Sequence, residues 1–219
     1  VSVARARQAE ATGAEMIMMM PPYHGTGLKA SEAGNFTYFQ SLAAAIDIPI
    51  MVQDAPLSGV TLSVAFLAEL AHRMPQIGYF KIEVPGAAAK LRDLISVGGA
   101  AIKGPFDGEE AITLMADLEA GATGTMPSAL LPELIRAVVM DYQAGKSIQA
   151  AKTYARILPL INFENRQCGL RAAKTVLKEG GVIKSDTVRH PLEPLDPETR
   201  RQLLQQAEAL DVLALRWGK

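Results

Sequence analysis

The feature that most constrains the fold is a phrase that recurs along the first 126 residues. A short continuous apolar run is followed by a break and then by a segment with apolar residues at helical spacing. The runs are Met16–Met20, closed by Pro21-Pro22, then Ile48–Val52, Ile77–Val84, Ala100–Lys103 and Thr123–Met126. Their length and abrupt ends predict strands buried on both faces. Between them the spacing predicts helices over 1–12, from Ser31, over Ser63–Arg73, over Ala87–Val97, and from Gly108 to about Glu119. Alternating strands and helices of this length mean βαβ units and a parallel sheet. After Pro127 the pattern is helical only, with candidates at Leu130–Ala144, Ile148–Leu160, Leu170–Gly180 and Thr199–Leu215. The last follows Asp196-Pro197-Glu198, an N-cap, a proline at the first position and an acidic first turn. The expected organisation is five βα units over 1–128, with a helical annex of the same domain over 129–219. An open doubly wound sheet and a (β/α)8 barrel both satisfy this pattern. A complete barrel takes about 250 residues, and five strands are too few to close one.

Composition narrows the partners. With 219 residues the chain can build a large core without a disulfide or metal staple. Lys and Arg number 22 against 23 Asp and Glu, a net charge of −1, which argues against nucleic acid or an anionic membrane surface as the main partner. The single cysteine, Cys168, excludes an internal disulfide framework and a multi-cysteine zinc site and suits a reducing compartment such as the cytoplasm. No apolar run approaches the ~18 residues of a membrane helix, and no signal peptide is apparent. No phosphate-binding glycine loop, zinc-ligand spacing or Ser/His/Asp pattern is present, so neither metal nor cofactor is expected.

In parallel α/β folds ligands gather at the C-terminal ends of strands. Lys81 stands out there. It lies in Ile77-Gly-Tyr-Phe-Lys-Ile-Glu-Val84, where alternation sends Lys81 and Glu83 one way and Phe80, Ile82 and Val84 the other. One reading is an amphipathic strand with a wet outer face. The other is a functional pair, because strands in a βα series are covered by helices and a lysine buried there is costly. A desolvated lysine is disposed to the neutral amine that attacks a carbonyl to form a Schiff base, and Glu83 could pair with it or serve as a base. Tyr23 and His24 follow a strand directly, so His24 is either an acid or base near neutral pH or an ordinary loop histidine. Gln53 and Asp54 are polar in an apolar context and are candidates for contact inside a barrel. Asp107-Gly-Glu-Glu110 either caps a helix or touches a hydroxylated ligand. Ser128 is a weaker candidate, His72 at a helix end is expected to have no role, and His190 in a Pro-rich loop is expected at the surface.

At these strand ends the chain resembles the dihydrodipicolinate synthase / N-acetylneuraminate lyase family of Schiff-base (β/α)8 enzymes. The resemblance is carried by Gly13-Ala14 leading to Pro21-Pro22-Tyr23, by Ile48-Pro-Ile leading to Ala55-Pro56, by Phe80-Lys81-Ile82-Glu83, by Gly104 with Asp107, and by the small-residue strand ending near Ser128. The strings MPPYHG, IPIMVQDAP, YFKIEVP, GPFDGEEAITL and LPLINFENRQCGL look most like its branch of 2-dehydro-3-deoxy-L-arabinonate dehydratases.

The resemblance implies Lys81 as the Schiff-base lysine; beside it Glu83 is the candidate base at C3 and His24 or a water the acid at the C4 hydroxyl, with Tyr23, Gln53, Asp54, Gly104, Asp107 and Ser128 as the expected substrate-binding positions. It further implies a keto sugar acid as substrate, 2,5-dioxopentanoate as product and a homo-oligomer, a tetramer in the family. On this reading the chain begins at the helix before the family's fourth strand, and roughly three βα units, on the order of 80 residues, are lacking. With them would go the loop after strand two that binds the substrate carboxylate.

Two departures matter. Gln53 stands where aldolase and synthase members carry a proton-shuttling tyrosine, and Ser58 stands where the synthases carry a carboxylate-binding arginine. His24 also replaces the second aromatic of the family's Pro-Tyr-Tyr. Loss of the tyrosine removes the usual base for retro-aldol cleavage and favours dehydration. The alternatives are a pyruvate-dependent aldolase or synthase and a non-catalytic keto-acid-binding remnant.

Overall fold

The computed structural model describes residues 1–22 and 30–219. Within them the chain forms two compact units, Val1–Glu109 with Ala116–Met126, and Glu110–Met115 with Pro127–Lys219.

The first unit holds a parallel sheet of β1 (Ile17–Met19), β2 (Ile50–Asp54), β3 (Ile77–Ile82), β4 (Gly104–Asp107) and β5 (Gly124–Thr125), in that spatial order. Doubly wound sheets reverse their strand order at a switch point, whereas a sequential order is the arc of a β/α barrel. The helices α1 (Ser2–Ala11), α2 (Glu32–Ala43), α3 (Val64–Arg73) and α4 (Ala87–Gly98) alternate with the strands. Serines start two of them: Ser31 Oγ accepts from Gly34 N and Ser63 Oγ from Phe66 N, both at 3.1 Å. Ile50, Val52, Phe80 and Ile82 from one face of the sheet join Phe39, Leu42, Phe66, Leu67, Leu70, Leu91 and Leu94 from the helices in one buried core. As expected, Phe80 and Ile82 lie on this face, with Val84 packed against it.

Between Gly98 and Glu119 two elements differ from the sequence reading. The run Ala100–Lys103 is not a strand. Gly99–Ala101 is a 3-10 turn, Ile102 folds back over Gly98, and the strand begins at Gly104. A Cβ on Gly98 would lie 2.4 Å from the end of Ile102, so Gly98 makes room for this packing. Likewise the helix expected from Gly108 starts only at Leu114, as α5 (Leu114–Glu119), because Glu110 and Ala111 adopt left-handed conformations at φ 54° and 64°.

The second unit contains α6 (Pro132–Gln143), α7 (Ser147–Phe163), α8 (Arg171–Glu179) and α9 (Pro197–Ala209). Tyr154 on α7 donates its hydroxyl to the carbonyls of Ala111, at 3.0 Å, and Ile112, anchoring the left-handed turn. Asp196 caps α9 as read from the sequence, its Oδ1 accepting from Glu198 N at 3.1 Å and Thr199 N at 3.0 Å. That helix stops at Ala209 rather than Leu215, since Asp211 turns left-handed at φ 51° and a 3-10 turn over Leu213–Leu215 follows. Leu213 N donates to Glu133 Oε1 at 2.8 Å, tying this turn to α6. Helix α7 runs through Pro159 and passes into a π-helical turn, Glu164–Cys168.

Candidate active site

Pleating and register assemble the first cluster. One extra residue on β3, Gly78, separates the pairs Ile50–Ile77 and Met51–Tyr79, after which Gln53 stands level with Lys81 and Lys81 level with Phe106. Residues level in a parallel pair share a face, so Met51, Gln53, Tyr79, Lys81 and Phe106 line the face opposite the aliphatic core. Met18, level with Met51 on the edge strand β1, shares this face and is 43% exposed.

The Lys81 side chain is only 8% exposed and Glu83 21%. Lys81 Nζ lies 3.0 Å from Glu83 Oε2, and Gln53 Nε2 donates to the same oxygen at 2.7 Å. A lysine and an amide therefore share one carboxylate oxygen as acceptor at the carboxyl end of β2 and β3. This arrangement can present an amine to a carbonyl carbon with a carboxylate beside it, and a buried lysine of this kind is a site candidate on physical grounds.

Gly108 completes the cluster and was not anticipated. A Cβ there would meet Lys81 Cγ at 2.8 Å, Glu83 Cβ at 2.9 Å and the Ile82 carbonyl at 2.9 Å. The close approach is fixed by the Gly108 amide donating to Ile82 O at 2.9 Å. Its only sequence signal is a glycine directly after a strand-end aspartate.

Two expected contacts, Asp54 and Asp107, are placed away from Lys81. Asp54 is one residue from Gln53 and so points to the opposite, helix-covered face, fully buried, with Oδ2 2.5 Å from Lys90 Nζ and Oδ1 accepting from Leu62 N at 3.3 Å. Asp107, level with the core residue Ile82, likewise faces away from Lys81. Its Oδ1 accepts from Glu109 N at 2.9 Å and its Oδ2 from Thr125 Oγ1 at 2.5 Å, so it closes the strand-end turn rather than capping a helix. Gly104 opens β4 level with Tyr79, two positions before Lys81, and a Cβ on it would lie 2.5 Å from the Tyr79 ring. Ser58 is buried, its hydroxyl engaged with Ala55 O and Val60 O at 2.9 Å each. Tyr23 and His24 lie outside the described residues.

Ser128 belongs to the second unit, where its hydroxyl donates to Glu164 Oε1 at 2.5 Å and accepts from Leu130 N at 3.2 Å. Glu164 is 6% exposed. Burial pushes its carboxyl up to about 7, the Ser128 hydrogen bond works in the other direction, and repulsion from Glu110 adds to the rise. The sequence reading missed Glu164 because one glutamate near the end of an amphipathic helix looks solvated; the π-helical turn buries it. The Cys168 thiol of the same turn is pushed up to about 11, chiefly by burial. His72 sits 3.1 Å from the Gly98 carbonyl, and His190 is exposed. Among the described residues no group of three or more His, Cys, Asp or Glu could hold a metal ion, and no helix is long and apolar enough to cross a membrane.

Comparison with known proteins agrees with this layout. L-2-keto-3-deoxyarabonate dehydratase of Azospirillum brasilense is 52% identical over 218 residues, covering all of this chain and 71% of that protein. A 4-hydroxy-tetrahydrodipicolinate synthase of Chlorobium phaeovibrioides is 26% identical over 97% of this chain and 70% of its own length. The solved structure of the 4-hydroxy-tetrahydrodipicolinate synthase of Methylacidiphilum fumariolicum SolV superposes with a TM-score of 0.85 at 25% identity, covering 95% of this chain and 69% of that one. The fold is thus of the TIM-barrel aldolase type. Residues 1–210 match the dihydrodipicolinate synthetase family, and the chain belongs to that family.

Proposed function

We propose that this chain is a hydro-lyase that removes water from 2-keto-3-deoxy-L-arabinonate through a Schiff base on Lys81. The observation that carries this reading is the lysine–carboxylate pair itself: Lys81, nearly buried in an apolar strand, 3.0 Å from Glu83. The 52% identity to a dehydratase supports the choice of reaction. On this reading the five strands correspond to strands four to eight of a (β/α)8 barrel, and the face that bears Lys81 is the lumen.

Lys81 Nζ attacks the C2 ketone, a C–N bond forms, and water leaves to give an iminium. The iminium acidifies C3. Glu83 takes a C3 proton, and the C–H electrons form an enamine. The enamine expels the C4 hydroxyl, which departs as water once an acid protonates it. His24 is the proposed acid. Tautomerisation moves hydrogen from C5 toward C3 and leaves an aldehyde at C5, and hydrolysis releases 2,5-dioxopentanoate and the free lysine. The lysine is the electron sink, so the scheme needs no metal or organic cofactor. Gln53, in place of a tyrosine, leaves no phenolic base for aldol cleavage. Ser128 is a candidate substrate contact by its position after β5. We place the enzyme in the cytoplasm, in keeping with its lone buried thiol, and expect a homo-oligomer from its family.

Incubation with the keto acid, followed by NMR analysis of the products, tests the reaction. The expected product is 2,5-dioxopentanoate. Release of pyruvate with glycolaldehyde would make the enzyme an aldolase, and binding without turnover would make it a keto-acid binder.

A further inference from the structure

We propose that Gln53 is a positioning residue for proton abstraction, its side-chain amide holding the Glu83 carboxylate in place while Lys81 is bound to the substrate. The inference rests on the Schiff-base reading above and deepens it. An amide has no basic atom that could accept a proton from carbon, so whatever Gln53 contributes comes through its hydrogen bonds.

The geometry shows which bond matters. Glu83 Oε2 receives two donors, Lys81 Nζ at 3.0 Å and Gln53 Nε2 at 2.7 Å, the shorter being the amide's. Glu83 Oε1 has no hydrogen-bond partner among the described residues. In the free enzyme the lysine and the amide orient the carboxylate together. When the amine adds to the ketone and water leaves, the nitrogen gains a bond to C2, keeps one N–H and becomes planar. Its contribution to Oε2 is weakened at the step in which Glu83 must act. Gln53 takes no part in that bond change. It stands on β2 level with Lys81 on β3, so the sheet's own register holds its amide against Glu83 throughout. With Oε2 held, Oε1 is left to receive the C3 proton. The same substitution that removes the family's tyrosine thereby supplies the donor that orients a different base.

The test uses two variants of the full chain. Gln53→Met keeps length and volume and removes the donor; Gln53→Glu keeps the shape and sets a second carboxylate against Glu83. The readouts are borohydride trapping of the keto acid on Lys81, exchange of the C3 hydrogens in deuterium oxide followed by NMR, and steady-state kinetics. Trapping is expected at the stoichiometry of the parent enzyme, with KM little changed. C3 exchange and kcat are expected to fall together, by roughly ten-fold or more, the scale on which general-base catalysis operates. A residue that merely supported the fold would lower trapping in step with turnover. Exchange and kcat within about two-fold of the parent in both variants would overturn the proposal, as would loss of trapping in both. A parent enzyme that turns over but cannot be trapped would overturn the Schiff-base reading, and this inference with it.

Discussion

Asp54 and Lys90 form a buried ion pair across the helix side of the sheet, Lys90 Nζ lying 2.5 Å from an Asp54 oxygen. The lysine also donates to the Leu62 carbonyl, so the segment between β2 and α3 is tied to α4 through one ammonium group. Removing the Asp54 carboxylate leaves the largely buried Lys90 ammonium without its counter-charge. Asp54→Ala is expected to cost about 3–5 kcal/mol of stability. Because Asp54 faces away from Lys81, the folded fraction of the variant should still trap substrate on Lys81 at the parent stoichiometry. Chemical denaturation together with borohydride trapping checks both halves.

Gly108 should tolerate nothing larger. A methyl group there would sit 2.8 Å from Lys81 Cγ and 2.9 Å from the Ile82 carbonyl. The backbone carbonyl cannot give way without breaking its hydrogen bond to Gly108, so the lysine stem has to move. Gly108→Ala is expected to destabilise by about 1–3 kcal/mol, the usual cost of overpacking. It should lower kcat/KM by roughly 100-fold, as a misplaced reacting group does. Steady-state kinetics and thermal unfolding on the same preparation separate the two effects.

Glu164 makes stability depend on pH in a defined direction. Its carboxyl titrates at about 7 in the folded chain, against 4.5 as the ordinary value, so the folded state holds the proton more tightly than the unfolded chain does. Its stabilising contribution is therefore present at low pH and declines as pH rises from about 4.5 through 7. The loss is on the order of 3 kcal/mol. Glu164→Gln, which keeps a polar partner for Ser128, should flatten this slope and gain stability relative to the parent above pH 7. The charged neighbour Glu110 is unchanged in that variant, as are Arg171 and Asp196, whose charges act on the Cys168 thiol. Denaturation midpoints at pH 5, 6, 7 and 8 measure the effect.

Much of the fold was legible because it depends on periodicity. The apolar runs at 16–20, 48–52 and 77–84 overlap β1, β2 and β3, and the alternation in β3 correctly separates Lys81 from Phe80 and Ile82. The errors arose where one apolar residue is used locally. Ile102 looks like a strand residue but is spent covering Gly98. Asp54 was rightly singled out as polar in an apolar strand, yet it serves Lys90 on the far face; its Lys90 partner, 36 residues away, leaves no local signature. Asp107 reads as a cap because caps and strand-end turns use the same side-chain chemistry. Gly108 and Glu164 were illegible for different reasons. The first matters for the space it leaves, which depends on what lies opposite, and the second is buried by a π-helical turn that has no sequence period of its own.

The central assignment is the nucleophile. Reduction with borohydride in the presence of 2-keto-3-deoxy-L-arabinonate, followed by mass analysis of peptides, tests it most directly. The expected result is one reduced adduct per chain on Lys81, loss of turnover as the adduct accumulates, and neither adduct nor turnover in Lys81→Ala. An adduct at another lysine, or a Lys81→Ala variant that still dehydrates the keto acid at the parent rate, would contradict it.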